Sequence, residues 1–169
     1  MGITRRQILA ATAAAAGTGL VGVGALGYSW WDRPPGQGLK VLSAEEHRFA
    51  QMLAEAWMPP GGTPALSGAD ARLGDWLDEL LAAQPETPRT QLKLLMHGLD
   101  HLTVPTRLTV FQGLSLEDRT AELHSWIHSD QYLLRSAGQA VLVLLSLGWT
   151  LHPDVKPHVA SWFQCGVGR

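Results

Sequence analysis

Prolines confine the helical segments of this chain more tightly than any other feature. A proline inside a helix removes one hydrogen bond and presses its ring onto the preceding turn. Pro59-Pro60, Pro85, Pro88, Pro105 and Pro157 therefore leave only a few stretches in which a helix can run. Within those stretches apolar residues recur at helical spacing. Ser43-Ala44-Glu45-Glu46 has the capping-box arrangement and opens a helix carrying Phe49, Leu53, Ala56 and Trp57, which ends at Pro59-Pro60-Gly61-Gly62. A second helix begins near Ser67 or Asp70 with Leu73, Trp76, Leu77, Leu80 and Leu81 on one stripe, and Pro85 and Pro88 stop it. A third is expected from about Arg89 to Leu102, with Leu92, Leu95, Met96 and Leu99 inward. After a short element containing Leu108, Val110 and Phe111, Ser115 caps a further helix whose first turn holds Glu117 and Asp118, favourable with the helix dipole.

The stretch Gln131 to Leu147 is apolar nearly all round and is read as the central buried helix of a bundle, its uninterrupted apolar part being too short to span a membrane. A last short helix follows Pro157, with Val159, Trp162 and Phe163. No segment alternates with period two between hairpin turns, so the expected class is all-α, a compact helical bundle. Its expected organisation is residues 1–31 as a signal or anchor helix, 32–42 as a Pro/Gly-rich linker and 43–169 as the helical domain.

The segment ahead of the bundle begins MGITRRQ and continues as an apolar run from Ile8 to Trp31. A cationic start followed by an apolar stretch with small residues is the pattern of a secretory signal. Thr4-Arg5-Arg6-Gln7-Ile8-Leu9 looks like the twin-arginine form, with Ile8 in place of the commoner Phe and Ala10 in place of the commoner Lys. As a helix, Ile8 to Trp31 would reach about 36 Å, enough for a hydrocarbon core of about 30 Å. Trp30 and Trp31 would then sit at the far interface. Small-residue cleavage options such as Ala25-Leu26-Gly27 exist, but retention as an anchor is the favoured reading. No cysteine directly follows the run, which excludes a lipoprotein anchor.

Charge and cysteine content narrow the function classes. Arg5 and Arg6 are the only charged side chains before Asp32, leaving 11 basic and 15 acidic residues, a net of -4, for the remainder. That balance has no nucleic-acid footprint. Cys165, the single cysteine, forms neither an internal disulfide nor a haem attachment or four-cysteine metal site. A buried or unused thiol is expected there, with a reactive or inter-chain one as the alternative.

Two histidine pairs, His97 with His101 and His124 with His128, stand at i and i+4. That spacing puts both rings of a pair on one helical face, as helices present two metal ligands, and antiparallel packing of the two helices would bring four imidazoles together. Neither HExxH nor the Glu-x-x-His motif of a di-iron bundle is present, and surface or partner-facing histidines are the default. There is no GxGxxG after a strand, no phosphate loop and no GxSxG elbow; Ser125, His128 and Asp130 are sequence neighbours outside any strand-turn-helix context. Trp149 follows Gly148 and heads the loop TLHPDVKP, where its ring either contacts a partner or caps the helix.

These pieces together resemble the gluconate 2-dehydrogenase subunit 3 family. The resemblance lies in Leu42-Ser43-x-x-Glu46, Leu53-Ala54-Glu55 leading into Pro59-Pro60, Thr63-Pro64, and the helix from Leu73 to Trp76-Leu77-Asp78. Gly148-Trp149-Thr150-Leu151-His152-Pro153 looks like a divergent form of the family's Gly-aromatic-aromatic-Thr-x-Pro stretch, with Trp149, His152 and Pro153 as candidate partner contacts. The resemblance implies a non-catalytic small subunit that accompanies a large FAD-containing flavoprotein of the glucose-methanol-choline type, often with a c-type cytochrome. It implies no cofactor in this chain and assigns no catalytic residue; Arg5 and Arg6 serve recognition by the twin-arginine translocase. The expected location is the periplasm or the outer face of the cytoplasmic membrane. The alternatives are a small exported metal-binding protein using the four histidines, and an anchored helical adaptor unrelated to redox chemistry.

Overall fold

In the computed structural model, which describes residues 33–162, the helices are α1 (Ala44–Trp57), α2 (Leu73–Ala82), α3 (Glu86–His101), α4 (Val104–Arg107), α5 (Leu116–Ile127), α6 (Tyr132–Leu151) and α7 (Lys156–Trp162), with a 3-10 turn at Phe111–Gly113. No strand occurs among the described residues. The twin-arginine segment with Arg5, Arg6, Trp30 and Trp31, and the tail with Phe163 and Cys165, lie outside the described residues.

The expected capping box starts α1. Ser43 Oγ accepts the Glu46 N–H at 3.3 Å while the Glu46 carboxylate accepts the Ser43 N–H at 2.7 Å, satisfying two donors that a helix start leaves open. Phe49, Ala50, Leu53, Ala54 and Ala56 are buried on α1, and α2, α3, α5 and α6 all pack against it. Phe49 meets Phe111 edge-on at 5.6 Å, and Phe111 meets Trp126 of α5 at 5.1 Å, so the 3-10 turn is pinned into the core by its aromatic residue. The central element is therefore α1.

That corrects the reading of Gln131 to Leu147 as the central buried helix. On α6, Val141, Leu142, Leu145 and Gly148 face α1, α2, α3 and α5, but Leu133, Val143, Leu147 and Leu151 are exposed. Hydrophobicity all round the helix is matched, among the described residues, by neighbours on one side only. At Gly148 the Trp76 ring of α2 lies against the α6 backbone, so close that an added Cβ would stand 2.5 Å from Cε3.

Two helix boundaries also differ from expectation. Ser67 closes a turn on Asp70, whose N–H it accepts at 3.0 Å, and α2 begins only at Leu73. Pro85 is the N-cap of α3 and Pro88 lies in its first turn, rather than both terminating the helix before it. A first-turn proline is tolerated because its missing N–H would have no partner in the helix anyway. Gly68 of the loop lies directly on α1, where its N–H donates to Met58 O at 2.9 Å.

Candidate functional site

Two buried carboxylates knit the start of the domain to its helices. Glu46, 2% exposed, places Oε1 2.9 Å from Nε2 of His97 on α3, and Oε2 3.2 Å from Lys93 Nζ. Lys93 in turn donates to Val41 O at 3.3 Å. Asp78 of α2 accepts three consecutive main-chain N–H groups, those of Lys40 at 2.7 Å, Val41 at 2.9 Å and Leu42 at 2.7 Å. The end of the stretch read as a linker is thus part of the core, with Leu42 fully buried.

Burial raises the pKa of Glu46, but hydrogen bonds from His97 and the Ser43 N–H, together with the charge of Lys93, outweigh it and hold the carboxyl below its ordinary 4.5. Burial likewise opposes ionisation of Asp78, and the three N–H donors overcome it, with help from His47, so that the carboxyl lies below its ordinary 3.8. In both cases the unfolded chain binds the proton more readily than the folded one. The stabilisation is therefore complete above the unfolded values and is lost as pH falls through the lower folded ones. Thermal melts from pH 7 downward are expected to hold a plateau and then decline once pH drops below 4.5, and Glu46→Gln should flatten the first part of that decline.

His97, 6% exposed, is committed to Glu46, and His101 turns Nδ1 back onto His97 O at 3.0 Å. At the end of α5 the rings of His124 and of the C-cap His128 do share a face, stacked with centroids 6.1 Å apart. The helices α3 and α5 each pack on α1 and α6 more extensively than on one another, and the four imidazoles do not converge. Among the described residues no group of three or more His, Cys, Asp or Glu is placed to hold a metal ion.

Trp149 acts as a clamp: its indole N–H donates to Leu66 O at 3.0 Å, tying the C-terminal turn of α6 to the loop before α2. Trp57 makes a similar tie, donating to Ser146 Oγ at 2.9 Å. His152 ends α6 and its Nδ1 accepts the Asp154 N–H at 3.3 Å, while Pro153 is exposed. Of this trio, then, Pro153 is turned to solvent and Trp149 is largely engaged in the fold.

The feature that sequence reasoning missed is an uncharged groove of about 540 Å³ between α3 and α6. Its lining includes Leu94, Gly98, Leu102, Leu133 and Ala137, with Gln91 and Gln131 as its polar members and no charged side chain among the described residues. Leu133 is 81% exposed, Leu94 45% and Leu102 41%. Farther along α6, Val143, Leu147 and Leu151 recur at every fourth position as a second exposed apolar stripe. Exposed apolar side chains grouped in this way make the face a candidate contact surface. The signal in the sequence was the excess of leucine and valine on α6 over what one core-facing stripe requires.

The described residues thus define a helical bundle with a tied-down N-terminal edge and an uncovered apolar face. Comparison of the chain with protein-family models, with curated proteins and with solved structures finds no match.

Proposed function

We propose that this chain is the non-catalytic small subunit of a membrane-associated, FAD-dependent dehydrogenase complex, carrying the twin-arginine export signal and stabilising or exporting the catalytic flavoprotein subunit. The observation that carries this reading is the uncharged apolar groove between α3 and α6, which fits the apolar face of a partner helix laid into it. Thr4-Arg5-Arg6-Gln7-Ile8-Leu9 supports it from the sequence, because a twin-arginine address serves folded cargo and can carry a bound partner along. The resemblance around Leu42-Ser43-x-x-Glu46 and Gly148 to Pro153 names the kind of partner: a glucose-methanol-choline type flavoprotein, with FAD held in that subunit.

Joint export is the direct test. With Arg5 and Arg6 both replaced by Lys, this chain and its flavoprotein are expected to remain in the cytoplasm, read by fractionation and immunoblotting of both chains. Normal export of the flavoprotein beside the double variant would contradict the proposal.

A further inference from the structure

A cleft of about 680 Å³ with a mixed lining, apolar at Leu39, Ala44 and Met52 and charged at Arg48, Arg72 and Asp75, opens on the side of α1 next to α2, of a size suited to a small organic ligand. One wall is the turn Gly36–Leu39; the other carries His47 and Arg48 of α1 with Arg72 and Asp75 at the start of α2. Asp75 is the organising group. Its Oδ1 lies 2.6 Å from His47 Nε2 and its Oδ2 2.5 Å from Arg72 Nη2, so one carboxylate fixes both side chains at the cleft. Arg48 is exposed and has no ion-pair partner among the described residues, and it leaves the lining with a surplus of positive charge in a chain of net charge -2. Arg48 also lines the neighbouring cleft, together with Glu45.

Arg72 gives this arrangement a second, independent mark. It occupies the N-cap of α2 at φ 51° and ψ 45°, the left-handed region, and its side chain makes no capping bond. Glycine meets that backbone requirement without strain, and Ser, Asp or Asn would cap the helix. Arg72 thus keeps a costly conformation without the local benefit of a cap, its largely exposed guanidinium held at the rim of the cleft by Asp75; strain of this kind is found at ligand clamps.

We infer that the cleft binds a phosphate group, free or as a small phosphomonoester, with Arg48 and Arg72 as its charged donors and with Asp75 and His47 positioning Arg72. An arginine fork matches phosphate oxygens in geometry as well as charge, and two of them favour a dianion over a monocarboxylate.

The test is calorimetric titration of the purified full chain in a nonionic detergent with inorganic phosphate, with glycerol 3-phosphate and with acetate. Saturable binding of phosphate, of glycerol 3-phosphate or of both is expected, with acetate at least about tenfold weaker. Preference for glycerol 3-phosphate identifies a monoester as the ligand; preference for phosphate identifies the free ion. Arg48→Ala removes no ion pair among the described residues and is expected to weaken binding about tenfold or more at unchanged Tm. Arg72→Gly is expected to do the same while keeping or raising Tm, since glycine relieves the left-handed strain. Lys156→Ala, on α7, is expected to leave binding unchanged. The inference is overturned if neither phosphate compound binds saturably up to about 10 mM, if acetate binds equally well, or if Arg48→Ala binds like the wild type.

Discussion

Asp78→Ala is expected to destabilise the domain by about 3–5 kcal/mol, well beyond the roughly 1 kcal/mol of an average substitution. The carboxylate accepts the N–H groups of Lys40, Val41 and Leu42 at 2.7–2.9 Å, and it is 3% exposed. Without it the Lys40 N–H can turn to water, but those of Val41 and Leu42 are left inside the protein, and each orphaned donor costs about 1–3 kcal/mol. Loss of this anchor also releases Leu42, which is fully buried, and loosens the entry to α1, where Ser43 and Glu46 form the capping box. At about 2–4 °C per kcal/mol for a chain of this size, thermal unfolding should begin about 10 °C lower. Hydrogen exchange should show the amides of Val41 and Leu42 losing protection first. Asp78→Asn keeps one acceptor oxygen and should fall between the two; a Tm within about 2 °C of the wild type for Asp78→Ala would refute this account of the N-terminal edge.

Gly68→Ala is the second large effect. A Cβ at position 68 would stand 2.2 Å from Ala54 O and 2.4 Å from Ala54 C, both main-chain atoms of the buried last turn of α1. A flexible side chain could move aside, but a helix backbone cannot, so the cost should lie at the upper end of the overpacking range, about 3 kcal/mol. The loop before α2 must shift, straining the Trp149 bond to Leu66 O and the Gly68 bond to Met58 O. Gly98, on α3, is the contrasting case: nothing lies within 4 Å of the added Cβ, and Gly98→Ala should stabilise by about 0.5–1 kcal/mol through helix propensity alone. Chemical denaturation of the two variants side by side separates close packing from a general intolerance of glycine replacement. Equal midpoints would refute the packing argument.

Local signals were legible in the sequence, and those that depend on distant partners were not. The Ser43–Glu46 capping box and the Ser115 cap, whose Oγ accepts the Asp118 N–H at 3.1 Å, involve residues three apart and follow from residue type and spacing. Pro88 was misread because a proline's effect depends on its place in the helix, and first-turn prolines end nothing. The role of Asp78 could not be seen: its partners lie 36–38 residues away, and they are main-chain groups in a stretch that composition marks as a linker. His97 and His101 have the spacing of a metal pair, but the direction of His97 is set by Glu46, 51 residues earlier. The apolar face on α6 was hidden for a related reason. Leucine content shows that a helix has apolar sides, whereas the packing of α1, α2, α3 and α5 decides which side is left uncovered.

The central claim is that this uncovered face holds a flavoprotein. The direct measurement is the composition of the complex purified under native conditions by a tag on this chain, first as wild type and then as the Leu94→Glu, Leu133→Glu double variant. Both positions are exposed, so the variant should keep the wild-type Tm. The account predicts a larger, yellow, flavin-absorbing chain present in equal amount with the wild type and lost from the variant. A wild-type chain that purifies as a monomer without flavin, or a flavoprotein retained undiminished by the variant, would contradict it.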